Sequence, residues 1–253
     1  MTLNDYLAIN VFHFLLVFAR LSVVFLLMPG ISAVYVPMRI RLILAVLVTI
    51  LVLPLVAPLL PSQPESPAEL VWLIVAESLI GGFMGALIQI IMSALELAAF
   101  MISNAVGITN ALIDDPVTEE QTSIITGFLA LIAVALIFIT GVHHFILEAM
   151  VQSYTLLRPA QPLFTGDMLQ LGARLLDQAF TMGLRLAAPF IVYELVFQIT
   201  SGVLARLSPQ LNVFFVAIPG KIILGIAVLM VSLPVMMLLF MKFLESNMVN
   251  FLR

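Results

Sequence analysis

Carboxylates are concentrated in one short segment of the chain and raise the question of a metal site. The segment Asp114–Glu120 (DDPVTEE) has four acidic side chains in seven residues, and Ca²⁺ prefers carboxylate oxygens as ligands. The segment lacks the glycine and the regular ligand alternation of known calcium loops. We therefore favour a structural role: Asp115 caps a helix that begins at Pro116, and the acids lie at the positive end of its dipole. Cation binding is the less favoured alternative.

Histidine offers a second possible metal site. His144 and Glu148 are four residues apart, so a helix would place them on one face next to His143. No third ligand is nearby and the HExxH motif is absent, so we interpret this segment as the end of a helix at a membrane interface. The chain has no cysteine and no hydrolase or nucleotide-binding motif. We expect no catalytic residue, no metal and no cofactor.

The remaining chemistry is charge inside apolar segments. Six ionisable residues interrupt such segments: Arg20, Glu77, Glu96, Arg185, Glu194 and Lys221. Each is costly to leave facing lipid, so each needs a neighbour from protein or water. Arg20 and His13 share one helical face, which indicates an interior or intersubunit surface, or an arginine satisfied by backbone carbonyls. Arg185 and Glu194 are nine residues apart, on opposite faces, and cannot pair within one helix.

Composition identifies the solvent around these charges. Hydrophobic residues make up 63% of the 253 residues, charged residues 9%, and the mean hydropathy is +1.22. A soluble domain of this length could not bury so much apolar surface. The net charge of −4 includes no basic tract, so we expect a membrane protein that does not bind nucleic acid.

Long apolar runs predict helices that position the charges. A helix crosses a bilayer with roughly 20 residues, and most of the runs are long enough; they cover residues 6–28, 42–60, 70–113, 124–147, 178–205 and 211–244. Close helix packing is predicted at the small residues Gly81, Gly82 and Gly85. Kinks or breaks are predicted where prolines interrupt a run, at Pro54, Pro189, Pro219 and Pro234.

The run 70–113 conflicts with an ordinary topology. A helix over 79–113 would be about 50 Å long, which exceeds a hydrocarbon core of roughly 30 Å. If the run is one crossing, the Lys and Arg residues of the loops show no clear excess on either side of the membrane. Dividing the run into two crossings near Glu96 restores an excess of Lys and Arg on the inner side. The segment 94–100 (ALELAAF), however, has no turn-forming residue. We therefore expect much of the apolar surface to be buried against partner subunits. Gly107, near the end of the run, is a predicted hinge.

Several motifs together resemble the FliR family of flagellar export proteins, over nearly the whole chain. The most specific block is LARLSPQLNVF at 204–214, followed by Pro219 and Gly225. Further similarity lies in these segments: Arg20 in the first run, Pro29 through VPMRIR at 36–41, GGFMG at 81–85, Gly107 leading to Asp115 and Pro116, and residues 141–157 before a proline-rich loop.

The resemblance implies an all-α membrane protein with partly broken helices and non-standard topology. Residues 1–185 would form a FliP-like part and 186–253 a FliQ-like helical hairpin. A plug loop would lie at about 107–121, and its pore residues would be Gly107, Ile108, Asn110, Ile113, Asp114, Asp115 and Pro116. The hairpin tip would be Pro209, Gln210 and Asn212. Subunit interfaces would include the six charges named above and Arg206. At the plug the chain departs from many relatives, which have a Gly-Leu-Gln pattern before Gly107 where this chain has ISNAV.

The resemblance also implies the partners and the place in the cell. Such a subunit assembles with FliP-like and FliQ-like subunits into a pore for unfolded export substrates. It works with FlhA-like and FlhB-like components inside the basal-body ring, in the lipid of the bacterial inner membrane. It would not be an enzyme.

Three alternatives remain open. The related SctT proteins serve virulence injectisomes, and overall likeness alone favours a flagellum. A small-solute permease would also use broken helices and buried charges, but usually shows internal repeats and a consistent loop-charge bias. An intramembrane enzyme would need a paired nucleophile and base, which the sequence does not show.

Overall fold

Almost every described residue is helical. The computed structural model describes residues 3–31, 36–108, 112–114, 121–161, 165–207 and 213–251. The helices within those ranges are α1 (Leu3–Leu27), α2 (Met38–Val56), α3 (Pro67–Val106), α4 (Ile124–Ile139), α5 (Val142–Leu156), α6 (Thr165–Leu207) and α7 (Val213–Phe251), with a 3-10 turn at Ala57–Leu59. Two short strands, β1 (Leu112–Asp114) and β2 (Gln121–Ser123), pair antiparallel.

The helices are long and apolar enough for a bilayer. Among the described residues, five helices meet the length and hydropathy expected of a membrane span, and a bent pair makes a sixth when counted as one span. The prediction of an all-α membrane protein is therefore confirmed. Prolines do not end these helices: Pro54 lies inside α2, Pro189 inside α6, and Pro219 and Pro234 inside α7.

The apolar run 70–113 forms one helix of 40 residues rather than two crossings. Its start is fixed by Pro67 and by Glu69 in the first turn, where a carboxylate favours the positive helix end. Its end is fixed by Gly107, whose φ is +84°. The amide of Ile108 donates to the carbonyl of Ser103 and the amide of Gly107 to that of Asn104, which is a Schellman cap. The helix therefore ends at Val106, seven residues before the apolar run does.

The run 124–147 breaks where the sequence analysis placed no turn. α4 and α5 meet at a bend of 75°, because Gly141 takes a left-handed conformation with φ of 78°. Ser123 caps α4 by accepting a hydrogen bond from the amide of Ile125 at 3.3 Å. The helix cap predicted at Asp115 and Pro116 lies outside the described residues.

The chain divides into two compact units. The first comprises residues 1–90, 141–175 and 247–253, and the second comprises 91–140 and 176–246. Within the first unit α1 packs against α2, and Phe12, Leu16 and Leu73 form a buried cluster. Within the second unit the largest fully buried side chains of the described residues are Phe190, Phe240, Ile91, Leu95, Ile102, Leu129 and Ile137.

Candidate functional site

Arg20 is the centre of a fully buried polar cluster in the first unit. Its Nε donates to Glu77 Oε2 at 2.6 Å, and neither side chain is more than 1% exposed. Its two terminal nitrogens donate to Ser153 Oγ at 3.1 Å and to the carbonyl of Leu157 at 2.9 Å. The guanidinium carbon lies 4.0 Å from the centre of the Tyr154 ring. Charge, hydrogen bonds and a cation–π contact thus all neutralise one buried cation.

Gly81 allows α3 to approach α1 at this cluster. A Cβ at Gly81 would lie 2.2 Å from the backbone oxygen of Arg20, and a Cβ at Gly85 would lie 2.6 Å from a methyl carbon of Leu27. At Gly82 the nearest atom would be a Val23 methyl at 3.8 Å, an ordinary contact. The predicted small-residue face is therefore used at Gly81 and Gly85 for close packing within the first unit.

The sequence predicted either an interior or intersubunit surface at Arg20 or an arginine satisfied by backbone carbonyls. Neither interpretation was complete, because Arg20 bonds both to a carboxylate and to a backbone carbonyl. Glu77 is 57 residues away and Ser153 is 133 residues away, and no spacing rule relates such positions. Ser153, Tyr154 and Leu157 were missed by the sequence analysis. The only available indication was that two opposite charges interrupt apolar runs. His13, on the same face as Arg20, lies 3.0 Å through its Nε2 from the carbonyl of Pro61.

A second charged cluster joins α6 to α7 in the second unit. Lys221 Nζ lies 2.8 Å from one oxygen of Glu194 and donates to the other at 3.0 Å. The hydroxyl of Tyr193 donates to the backbone carbonyl of Lys221, and the ammonium lies 5.8 Å from the ring centre of Phe197. These side chains are partly exposed, at 19% for Lys221 and 24% for Glu194.

The Lys221 cluster lies beside Gly107, the first residue of the predicted plug segment. A Cβ at Gly107 would be 3.6 Å from Lys221 Cδ, and a Cβ at Gly225 would be 2.8 Å from a Val106 methyl. The C-terminal end of α3 is therefore in close contact with α7. Gly107 supplies the left-handed turn, whereas a Cβ there would meet the lysine stem only at an ordinary contact distance.

Both ends of the predicted plug segment return to the last turns of α3. Ile108 follows the Gly107 cap, and Ser123 Oγ hydrogen-bonds to Ser103 Oγ at 2.5 Å. Between these points Ile113 pairs with Thr122, and Asp114 with Gln121, in the two-stranded ladder. Of the predicted pore residues, Asn110, Asp115 and Pro116 lie outside the described residues, as do the predicted tip residues Pro209, Gln210 and Asn212.

Three other predicted charges are on exposed helix surfaces. Arg185 is exposed near the middle of α6, Arg206 is exposed in its last turn, and Glu96 is exposed on α3. These residues are therefore separate from the two clusters. Across the part of the chain that the structure describes, no group of three or more His, Asp or Glu residues could hold a metal ion.

Comparison with known proteins identifies the family. A sequence profile described as "Bacterial export proteins, family 1" matches residues 11–246. The chain is 33% identical over 226 residues to the flagellar biosynthetic protein FliR of Caulobacter vibrioides, which covers 89% of this chain and 90% of the relative. It is 30% identical over 238 residues to FliR of Pectobacterium carotovorum, covering 92% and 89%.

A relative from a different secretion system matches a shorter part of the chain. The secretion system apparatus protein SsaT of Salmonella typhimurium is 28% identical over 163 residues, covering 64% of this chain and 63% of the relative. The profile covers far more than half of the sequence, and the FliR proteins of Caulobacter vibrioides and Pectobacterium carotovorum align over about nine tenths of it. The chain therefore belongs to the bacterial export proteins of family 1, the family of FliR.

Proposed function

We propose that this protein is the FliR-type membrane subunit of a flagellar type III protein export gate. The observation that carries the proposal is the family match over residues 11–246, together with two FliR relatives at 30% identity or more. The protein would act in the inner membrane at the flagellar basal body. Its function would be to form part of a passage for unfolded flagellar proteins, without a cofactor and without catalysis.

The outward surface of the helices supports assembly with other subunits. Only 17% of the span in α6 and 22% of that in α7 is buried, against 44% in α1 and in α3. Arg185 is exposed near the middle of α6, where a cation facing lipid is costly. A polar surface of another subunit, or a water-filled passage, would remove that cost. FliP-like and FliQ-like subunits are the proposed neighbours, with FlhA-like and FlhB-like components nearby.

The proposed internal division follows from the family resemblance. Residues 1–185 would be the FliP-like part, and 186–253 the FliQ-like hairpin. The ion pair between Lys221 and Glu194 holds the two helices of that hairpin together. It supports a hairpin that is preformed before partners bind.

The segment 107–121 is the proposed plug. It leaves α3 at the Gly107 turn and returns at Ser123, which bonds to Ser103 on the same helix. The Ser123 bond and the pairing of β1 with β2 would keep both ends of the plug beside α3. Such a segment is able to block a passage and to move aside without unfolding the helices.

Co-purification tests the assembly. The tagged full-length chain is isolated from its native membrane, and its partners are identified by mass spectrometry. We expect FliP-like and FliQ-like proteins with the wild type and fewer of them with Arg185→Leu. The matched control is Arg174→Leu, an exposed arginine of the same helix outside its central apolar part. A chain that purifies alone as a stable monomer and transports a small solute would contradict the proposal.

A deletion tests the plug separately. Removal of residues 107–113 is expected to make cells leaky to small solutes when the complex still assembles. Removal of residues 62–65 from the loop before α3 is the control and is expected to cause no leak. Assembled complexes that remain tight without 107–113 would contradict the plug assignment.

An injectisome subunit is the second candidate. The match to SsaT supports it. The FliR proteins of Caulobacter vibrioides and Pectobacterium carotovorum cover about nine tenths of the chain at 33% and 30% identity, whereas SsaT covers 64% at 28% identity. The flagellar function is therefore the one we propose.

A further inference from the structure

Trp72, the only tryptophan of the sequence, lies on an exposed face of α3 near the start of that helix. It is 66% exposed. Val75, Leu79 and Ala86 are exposed further along α3, and their successive spacings of three, four and seven residues place them on the same face as Trp72. We call these four residues the Trp72 face. Apart from the indole N–H, the side chains of this face are apolar.

The chain leaves the hydrocarbon just before α3. The candidate span made by α2 and the turn after it covers 22 residues, Met38–Leu59, which as a helix is about 33 Å long and matches a hydrocarbon core of roughly 30 Å. The loop 60–66 that follows contains two prolines and exposes Ser62, Gln63 and Glu65. Prolines and polar side chains of this kind mark a loop in water or among lipid head groups. The start of α3 is therefore at the membrane surface.

Trp72 lies at the depth where a tryptophan is favoured. It is five residues beyond Pro67, the first residue of α3, which is about 7.5 Å along the helix axis. Tryptophan is enriched at the boundary between head groups and hydrocarbon, because its ring is apolar and its N–H is polar. Glu69, before Trp72, is exposed, whereas the exposed residues within 73–95 are all apolar. The exposed surface of α3 thus changes from charged to aromatic to apolar, in the order that a bilayer imposes.

Charge and amide groups within the same stretch of α3 are compensated inside the protein. The only ionisable side chain in residues 73–95 is Glu77, which is buried and paired with Arg20 at 2.6 Å. The only amide side chain there is Gln89, which donates to the backbone carbonyl of Leu27 at 2.6 Å. The outer face of this stretch therefore presents no charge that would be costly to leave against lipid.

The length of α3 sets the opposite boundary. The helix has 40 residues and is about 60 Å long, twice the roughly 30 Å of hydrocarbon. Glu96 is exposed and is 24 residues beyond Trp72, which is about 36 Å along the helix axis. A bilayer is roughly 30 Å thick across its hydrocarbon and about 40–45 Å thick with its head groups. Trp72 and Glu96 are therefore spaced so that each reaches a head-group layer when α3 crosses the bilayer.

We propose that the Trp72 face contacts phospholipid, with the indole of Trp72 at the head-group boundary and with Leu79 and Ala86 against acyl chains. The last turns of α3, from Glu96 to Val106, then extend beyond the hydrocarbon on the other side. A crossing by only part of α3 accounts for a 40-residue helix that has no turn near Glu96. A partner subunit could cover an apolar face, but it would not require a tryptophan and a carboxylate at the spacing of a bilayer. The proposal does not depend on the export function.

Depth-dependent fluorescence quenching tests the proposal. The chain has no cysteine, so Trp72→Cys, Leu79→Cys, Ala86→Cys and Glu69→Cys each place one fluorophore on it in the assembled complex. The complex is placed in phosphatidylglycerol and phosphatidylcholine bilayers that contain a lipid with a nitroxide, either near the head group or near the end of the acyl chain. Iodide in the water serves as the third quencher.

The expected order of quenching follows from the positions along α3. Leu79 is seven residues beyond Trp72, about 10 Å deeper, so the deep nitroxide should quench Leu79→Cys on the order of two-fold more than Trp72→Cys. The shallow nitroxide should reverse that order. Ala86 is about 21 Å from Trp72 and about 9 Å from the far surface of a core of roughly 30 Å, so Ala86→Cys should resemble Leu79→Cys. Glu69→Cys is the matched control on the same helix and should be quenched mainly by iodide.

Several outcomes would overturn the proposal. Equal quenching of Trp72→Cys and Leu79→Cys by the deep nitroxide would mean that the face does not run across the bilayer. Iodide quenching of Leu79→Cys as strong as that of Glu69→Cys would place the face in water. A photoreactive amino acid at Leu79 that cross-links to another protein, together with no quenching by either nitroxide, would identify a subunit contact.

The wild-type complex decides the matter if a cysteine variant does not assemble. A phosphatidylglycerol with a photoreactive acyl chain is added to the bilayer, and labelled residues of the chain are mapped by mass spectrometry. We expect labels within 72–86 and none in the loop 60–66. Labels in the loop, or none within 72–86, would contradict the proposal.

Discussion

Replacing Glu77 with glutamine tests the buried cluster around Arg20. The substitution keeps the shape of the side chain but removes the negative charge 2.6 Å from Arg20 Nε. Ser153 Oγ and the Leu157 carbonyl remain as acceptors, yet both are neutral. Breaking one side of a buried ion pair costs about 3–5 kcal/mol, because the other charge stays buried; at about 1.4 kcal/mol per factor of ten, this shifts the folding equilibrium roughly 100- to 4000-fold.

The assay is the fraction of tagged chain that stays soluble after heating of detergent-solubilised membranes. We expect Glu77→Gln to precipitate at a clearly lower temperature than the wild type. Glu69→Gln is the matched control, since Glu69 is an exposed carboxylate on the same helix. It is expected to cost at most about 1 kcal/mol, the contribution of a carboxylate at the start of a helix.

A double substitution separates a lost ion pair from general damage to the core. Arg20→Met with Glu77→Met replaces both charges by apolar side chains, which is often neutral or stabilising. We expect the double variant to be more stable than Glu77→Gln. If Glu77→Gln is no less stable than Glu69→Gln, the ion pair does not stabilise the first unit and the reasoning is refuted.

Three further predictions follow from contacts described above. Gly81→Ala should destabilise the chain by about 3 kcal/mol, because the new methyl would meet a backbone oxygen at 2.2 Å, whereas Gly82→Ala, with 3.8 Å of room, should behave like the wild type in the same heating assay. Lys221→Glu should lower the yield of assembled complex through repulsion from Glu194, and the exchange Lys221→Glu with Glu194→Lys should restore it; an unrestored yield would show that the ion pair is not the reason. Ser123→Ala removes both the cap of α4 and the hydrogen bond to Ser103 of α3, so it should lower the free energy of unfolding by about 1 kcal/mol. It should also raise the rate of proteolysis of the segment before α4. A proteolysis rate equal to that of the wild type would contradict this role.

The boundary of α3 shows why helix ends were predicted only in part. The apolar run continues to residue 113, and hydropathy alone extends the helix that far. The structure stops it at Gly107, where a left-handed residue can satisfy the carbonyls of Ser103 and Asn104. Gly107 was predicted to be a hinge, but the sequence contains no rule that separates a glycine that ends a helix from a packing glycine such as Gly81. Gly141 was missed for the same reason, since a single glycine in an apolar run does not predict a bend of 75°.

The candidate sites were predicted as residues but not as pairs. Arg20, Glu77, Glu194 and Lys221 were recognised because a charge in an apolar helix requires compensation. Arg20 and Glu77 are 57 residues apart, and Glu194 and Lys221 are 27 residues apart. Only the packing of separate helices brings the members of each pair together.

The amino-acid sequence by itself determined that this protein partitions into a membrane, that its helices are long, and that it belongs with the FliR proteins. Amino-acid composition and the length and spacing of apolar runs are local properties of the chain, and water and lipid act on them directly. The tertiary structure alone decided which charges neutralise each other and which glycines admit a neighbouring backbone. Those outcomes depend on distances between helices, which are set by packing of side chains far apart in the chain.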